Sequence, residues 1–189
     1  MANSIRYAAD RKTKLMPAIL SVAVVLLDQL SKFIIVRTVT YSRPPEVAFS
    51  LFGDFFQIIH ARNTGAAFSL GRGLPDNLRG IFFILLPLIV LGWIVVYYWR
   101  TQELSKVQRW CIAAVVGGGV GNLIDRVFRS SGVVDFIDVR VFGLFGLERW
   151  PTFNIADASV VVAGILFLFF ILLEDRRNSK KTKIGDDKE

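Results

Sequence analysis

Residues 81–99 run for 19 positions without one charged side chain. A bilayer core about 30 Å thick takes roughly 20 residues of helix, and a helix satisfies its own backbone polar groups there. That run predicts a membrane span, and three others resemble it. Residues 15–36 carry no charge apart from Asp28 and Lys32. Residues 110–124 carry no charge and continue into Asp125 and Arg126. Residues 155–173 carry only Asp157. The third run is short and holds Gly117, Gly118, Gly119 and Gly121. Such small residues let helices approach closely, so it must pack against the others. The fold class is an α-helical integral membrane protein with four transmembrane helices. It reads as one membrane-embedded domain over residues 1–189, with spans at about 15–36, 81–99, 110–126 and 155–173. Loops fall at 38–78 and 129–150, and tails at 1–14 and 174–189. The first run is too long for a cleaved signal peptide and lacks a small-residue cleavage site.

Charge orients the spans. The chain has 23 Lys+Arg against 16 Asp+Glu, a net +7, and 16 of these 39 residues lie in the two tails. A basic balance around so apolar a middle points to membrane lipid and not to nucleic acid. The tails and the 100–109 loop hold 13 Lys+Arg in 40 residues, whereas loops 38–78 and 129–150 hold 6 in 63. The positive-inside rule therefore puts both termini in the cytoplasm. Cys111 is the only cysteine and His60 the only histidine. An internal disulfide and a multi-histidine zinc site are excluded, and no metal or other cofactor is called for.

With that orientation, Asp28 and Lys32 lie late in the first helix, Asp125 and Arg126 end the third, and Asp157 begins the fourth. At about 1.5 Å rise per residue, all five fall in the outer third of the membrane. Scattered tolerance of charge would not favour one depth, and ionisable groups inside spans are functional by default. A polar site at the outer interface follows. Asp28 and Lys32, at i and i+4 on one helix face, are equally well read as a structural pair. Asp125 reads as a partner for Arg126 or as a helix-end group.

The outer loops add to that site. Residues 41–78 carry Phe49, Phe52, Phe55, Phe56, Ile58 and Ile59. Strand-prone stretches at 55–61 and 66–70 flank Asn63-Thr64-Gly65, which reads as a turn. The segment predicts a small extracytoplasmic β platform with a tip at Gly71-Arg72-Gly73, able to hold an extended peptide. After the third helix, Asp135 is embedded in Val133-Val134-Asp135-Phe136. Before the fourth, Asn154 is a plausible N-cap and Asp157 falls in the first turn. Asp135 and Asp157 can thus meet where lipid gives way to water. Close carboxylates share a proton, so one takes a proton from water while the other polarises a carbonyl. Spacing alone does not single out this pair from Asp28 and Asp125. A small transporter or channel would also place charge in spans, usually near the midplane and with an internal repeat; none is visible here.

Five stretches carry a resemblance: Asp28-Gln29-Leu30-Ser31-Lys32; Asn63-Thr64-Gly65-Ala66-Ala67-Phe68; Gly117 through Arg126; Val133-Val134-Asp135-Phe136; and Phe153-Asn154-Ile155-Ala156-Asp157. Together, in this order on a four-span chain, they resemble the lipoprotein signal peptidases (signal peptidase II, peptidase family A8). The resemblance covers residues 28–157 and implies an aspartic endopeptidase of the bacterial inner membrane. Its substrates would be diacylglyceryl-modified prolipoproteins, cleaved before the lipid-bearing cysteine at the outer face. It implies Asp135 and Asp157 as the catalytic pair. It further implies Asn63, Gly65, Asn122, Arg126, Asn154 and Ala156 as substrate-binding or site-ordering positions. Asp28, Lys32, Gly118 and Asp125 are implied as structural support. Residues 141–149 read as an insertion between the two aspartates. A monomer is the default state.

Overall fold

The computed structural model describes residues 13–65, 76–102 and 104–186. Its elements are α1 (Ala18–Thr38), β1 (Val47–Leu51), β2 (Phe56–Asn63), α2 (Asp76–Arg100), α3 (Lys106–Phe128), β3 (Val133–Val139) and α4 (Ile155–Asp186). Among the described residues, four helices are long and apolar enough to cross a membrane. The bundle turns large apolar side chains outward, among them Leu26, Ile89, Trp93, Ile165 and Leu168. That is the surface a helix presents when lipid is its solvent.

The central helix is α3, which packs on α1, α2 and α4. Its start is fixed by a capping box, in which the Ser105 hydroxyl accepts from the Gln108 amide and the Gln108 side chain accepts from the Ser105 amide. Glycines let the neighbours close in. A Cβ at Gly117 would lie 2.8 Å from the Ser21 carbonyl oxygen of α1, and one at Gly118 would lie 2.4 Å from the Ala156 carbonyl oxygen of α4. Ser21 also donates to the Ala113 carbonyl at 2.6 Å, tying α1 to α3.

The strands form an antiparallel sheet in the order β1-β2-β3. The hairpin differs from the one the sequence predicts. β2 takes most of the 55–61 stretch, but its hairpin partner is β1, and the turn lies at Phe52 and Gly53, both at positive φ. Asn63-Thr64-Gly65 ends β2 instead, because the Asn63 side chain turns back to accept from the Gly65 amide. Residues 66–70 and the Gly71-Arg72-Gly73 tip lie outside the described residues.

One face of the sheet is set on the end of α1. Val134 and Phe136 of β3 cluster with Ile35, and Val36, Val39, Ile58, Ile137 and Ile155 pack around them. The 141–149 segment doubles back, with the Val141 amide donating to the Glu148 carbonyl and Trp150 to Val139. Arg140 bridges Asp54 and Glu148, while Arg149 pairs with Asp138. Phe153 then runs beside β3, accepting from the Phe136 and Ile137 amides, and delivers the chain to α4.

Candidate active site

The start of α4 is built by its own side chains. Asn154 Oδ1 accepts from the Asp157 amide at 3.0 Å, and Asp157 Oδ2 accepts from the Asn154 amide at 3.2 Å. This reciprocal cap satisfies two helix-start donors and fixes both side chains. Asn154 is fully buried. Its amide nitrogen faces Asp135 Oδ1 at 2.7 Å, Asn122 Oδ1 at 3.0 Å and the Val134 carbonyl at 3.3 Å. The other Asp135 oxygen accepts from Asn63 Nδ2 at 3.1 Å. Asn122 Nδ2 donates to Asp157 Oδ1 at 2.7 Å. Three asparagines, from β2, α3 and the α4 cap, thus hold the carboxylates of β3 and α4 in one network.

Below it lies a second cluster. Lys32 Nζ sits 2.8 Å from Asp28 Oδ2, 3.1 Å from Asp125 Oδ2 and 2.9 Å from Asn122 Oδ1. The side chains of Lys32, Asp28 and Asp125 are wholly buried. Both carboxylates also accept from the backbone. Asp28 Oδ1 accepts from the Ala156 amide at 3.0 Å, and Asp125 Oδ2 from the Val134 amide at 3.1 Å. Each carboxylate therefore pins a backbone segment next to a member of the upper pair. Asp28 sets the residue before Asp157, and Asp125 sets the residue before Asp135.

The environment of Asp135 favours its neutral form. Burial and then the nearby Asp157 charge push its acid up to about 7, against the hydrogen bonds from Asn63 and Asn154 and the Lys32 charge. A carboxyl protonated near neutral pH beside a second carboxylate has the parts for paired acid and base chemistry.

Every site residue implied by the sequence lies in or against this assembly, Arg126 by being within charge-interaction reach of Asp157 and Asp135. Gly65 donates its amide to Asn63 Oδ1, Ala156 donates to Asp28, and Gly118 gives α4 its close approach. Arg126 places its guanidinium over the Phe83 ring of α2 at 5.8 Å. The pairing of Asp125 with Arg126 is corrected: Asp125 bonds Lys32 and, at 2.9 Å, Arg129 Nε. Arg126 is next in the chain and leaves in another direction, whereas Arg129 is one helical turn on. Two contributors escaped the sequence reading. Gln29 Nε2 bridges Asp28, Asp125 and the Gly121 carbonyl, and Arg129 could have been found from its i+4 spacing to Asp125.

A family model described as signal peptidase (SPase) II matches residues 20–173. The chain is similar to the lipoprotein signal peptidase of Borrelia duttonii (strain Ly), 48% identical over 148 residues, covering 78% of this chain and 84% of that one. It is similar to that of Treponema pallidum (strain Nichols), 42% identical over 176 residues, covering 93% of each. A solved bacterial membrane enzyme superposes with a TM-score of 0.71 at 32% identity, covering 86% of this chain and 90% of that one. Four membrane-length helices, a small three-stranded sheet and these relatives lead to one conclusion: the chain belongs to the signal peptidase II family of membrane proteases.

Proposed function

We propose that this protein is an aspartic endopeptidase of the bacterial inner membrane. It removes signal peptides from prolipoproteins by cleaving before a diacylglyceryl-modified cysteine. The observation that carries the reading is the asparagine network joining Asp135 to Asp157. One carboxylate takes a proton from water as the water oxygen attacks the scissile carbonyl carbon. The protonated carboxyl donates to the carbonyl oxygen. Return of a proton to the amide nitrogen lets the C–N bond break, and both carboxyls end the cycle as they began. Asp135, with its raised acid, is assigned the shared proton at the start. Arg126 and Gly65 are assigned to the substrate backbone, which passes under the sheet as an extended strand.

Both termini are placed in the cytoplasm by their lysines and arginines, so the carboxylates face outward and a monomer suffices. The scissile bond then sits where a signal helix leaves the membrane, with its lipid chains still in the bilayer. Burial contributes about 0.8 kcal/mol per CH₂, so the acyl chains fix the depth of the bond. The test compares one prolipoprotein with and without diacylglycerol, with product masses read by mass spectrometry. The expected result is a single cut before the modified cysteine and poor turnover of the unlipidated precursor. Equal cleavage of both precursors, or a cut elsewhere, would overturn the reading.

A further inference from the structure

The opposite end of the bundle holds a second polar feature. The first turn of α3 carries Lys106 and Arg109 and no acidic residue. A helix start already bears partial positive charge, so cations there are unfavourable until an anion joins them. Arg109 is only 4% exposed. Its Nε donates to the Leu104 carbonyl at 3.2 Å and its Nη2 to the Gln102 carbonyl at 3.3 Å. The guanidinium also lies 5.6 Å from the Tyr98 ring centre. Nη1 is buried with no hydrogen-bond partner, and among the described residues no carboxylate pairs with this side chain. A permanently charged group is thus buried among neutral partners with one donor arm unused, which is costly.

Arg109 forms part of the wall of a cavity of about 230 Å³, with Thr13, Met16, Pro17, Lys106 and Trp110. Pro17 also borders a second cavity of about 120 Å³, whose wall includes Leu15, Ala18, Val95, Ile112 and Val116. The cationic chamber and a mainly apolar slot, which Lys14 also borders, thus share Pro17 as a wall residue. Asn122 lies 13 residues further along α3, roughly 20 Å at about 1.5 Å per residue, so the chamber is separate from the carboxylate network.

We infer that this chamber binds the phosphate of an anionic phospholipid, with Arg109 and Lys106 on the phosphate and an acyl chain in the adjoining slot. A guanidinium suits phosphate oxygens in paired, charge-assisted hydrogen bonds. Inorganic phosphate would meet the same cations but would leave the apolar slot without an occupant, which favours the lipid. The site lies at the membrane surface where the chain concentrates its basic residues, the surface that attracts anionic lipid.

The test uses the full-length protein in detergent, titrated with phosphatidylglycerol, phosphatidylcholine or inorganic phosphate, with bound ligand read by native mass spectrometry. The basic tails also attract anionic lipid, so the informative quantity is the difference between wild type and Arg109→Gln. Wild type retains phosphatidylglycerol over phosphatidylcholine, and Arg109→Gln weakens that retention roughly tenfold. Lys106→Gln, at an exposed position tolerant of change, weakens it about threefold and decides the matter should the first variant fail to fold. Equal retention of the two lipids, or unchanged binding in the variants, overturns the inference. Inorganic phosphate binding as tightly as phosphatidylglycerol overturns the lipid assignment.

Discussion

Lys32 has three N–H donors and, inside the bundle, three acceptors: Asp28, Asp125 and Asn122. The match lets a buried ammonium persist, because every donor is used and two carboxylates surround it. Removing that charge would leave Asp28 and Asp125 buried face to face. Asp135 is tuned differently, since burial is the largest influence on it and its acid rises from 3.8 to about 7. Between those values the folded protein keeps a proton that the unfolded chain has released. The stability tied to this group is thus fully present below about pH 4 and is lost as pH rises through about 7. Its size is of the order of 4 kcal/mol. Thermal unfolding of wild type and Asp135→Asn from pH 4 to 9 checks the sign. Wild type should lose ground to the variant up to about pH 7, with no further change above it. A difference that stays constant with pH would contradict the tuned carboxyl.

At the scale of elements, the α3–α4 contact decides whether the two carboxylates meet. A Cβ at Gly118 would lie 2.4 Å from both the Ala156 carbonyl oxygen and Ser159 Oγ. Gly118→Val should therefore push α4 away and separate Asp157 from Asn122. Overpacking of this kind costs about 1–3 kcal/mol, so the melting temperature should fall by several degrees and cleavage by at least tenfold. Gly92→Ala, where an added Cβ meets nothing within 4 Å, should leave both unchanged. Wild-type cleavage in Gly118→Val would show that the close contact does not position the site. The helices were legible because apolar length is a local signal, and so was the Asn154 cap, whose bonds span three residues. The hairpin was not, because β2 selects β1 through a turn at Phe52, a residue type with no preference for its positive φ. The partners of Asp125 were hidden for a related reason, since Lys32 comes from another helix and only the folded bundle brings it there.

At the scale of the molecule, the parts share one plan. Apolar side chains face outward around the bundle, glycines draw α1 and α4 onto α3, and the sheet sits on the end of α1 beside the carboxylates. Asp28, Lys32, Asp125, Asp135 and Asp157 gather at that end, while the Arg109 chamber lies at the other end of α3. The sequence already pointed to a polar site at one depth. It could not choose among four aspartates by spacing, because depth says nothing of which side chains turn towards one another. The structure sorts them into two clusters: Asp28 and Asp125 share Lys32, while Asp135 and Asp157 share Asn154. The most direct measurement is therefore cleavage of a diacylglyceryl prolipoprotein by Asp135→Asn, Asp157→Asn and Asp125→Asn, each first shown to be folded and membrane-inserted. The account predicts no mature product from the first two and residual turnover from the third; substantial turnover by Asp135→Asn or Asp157→Asn would contradict it.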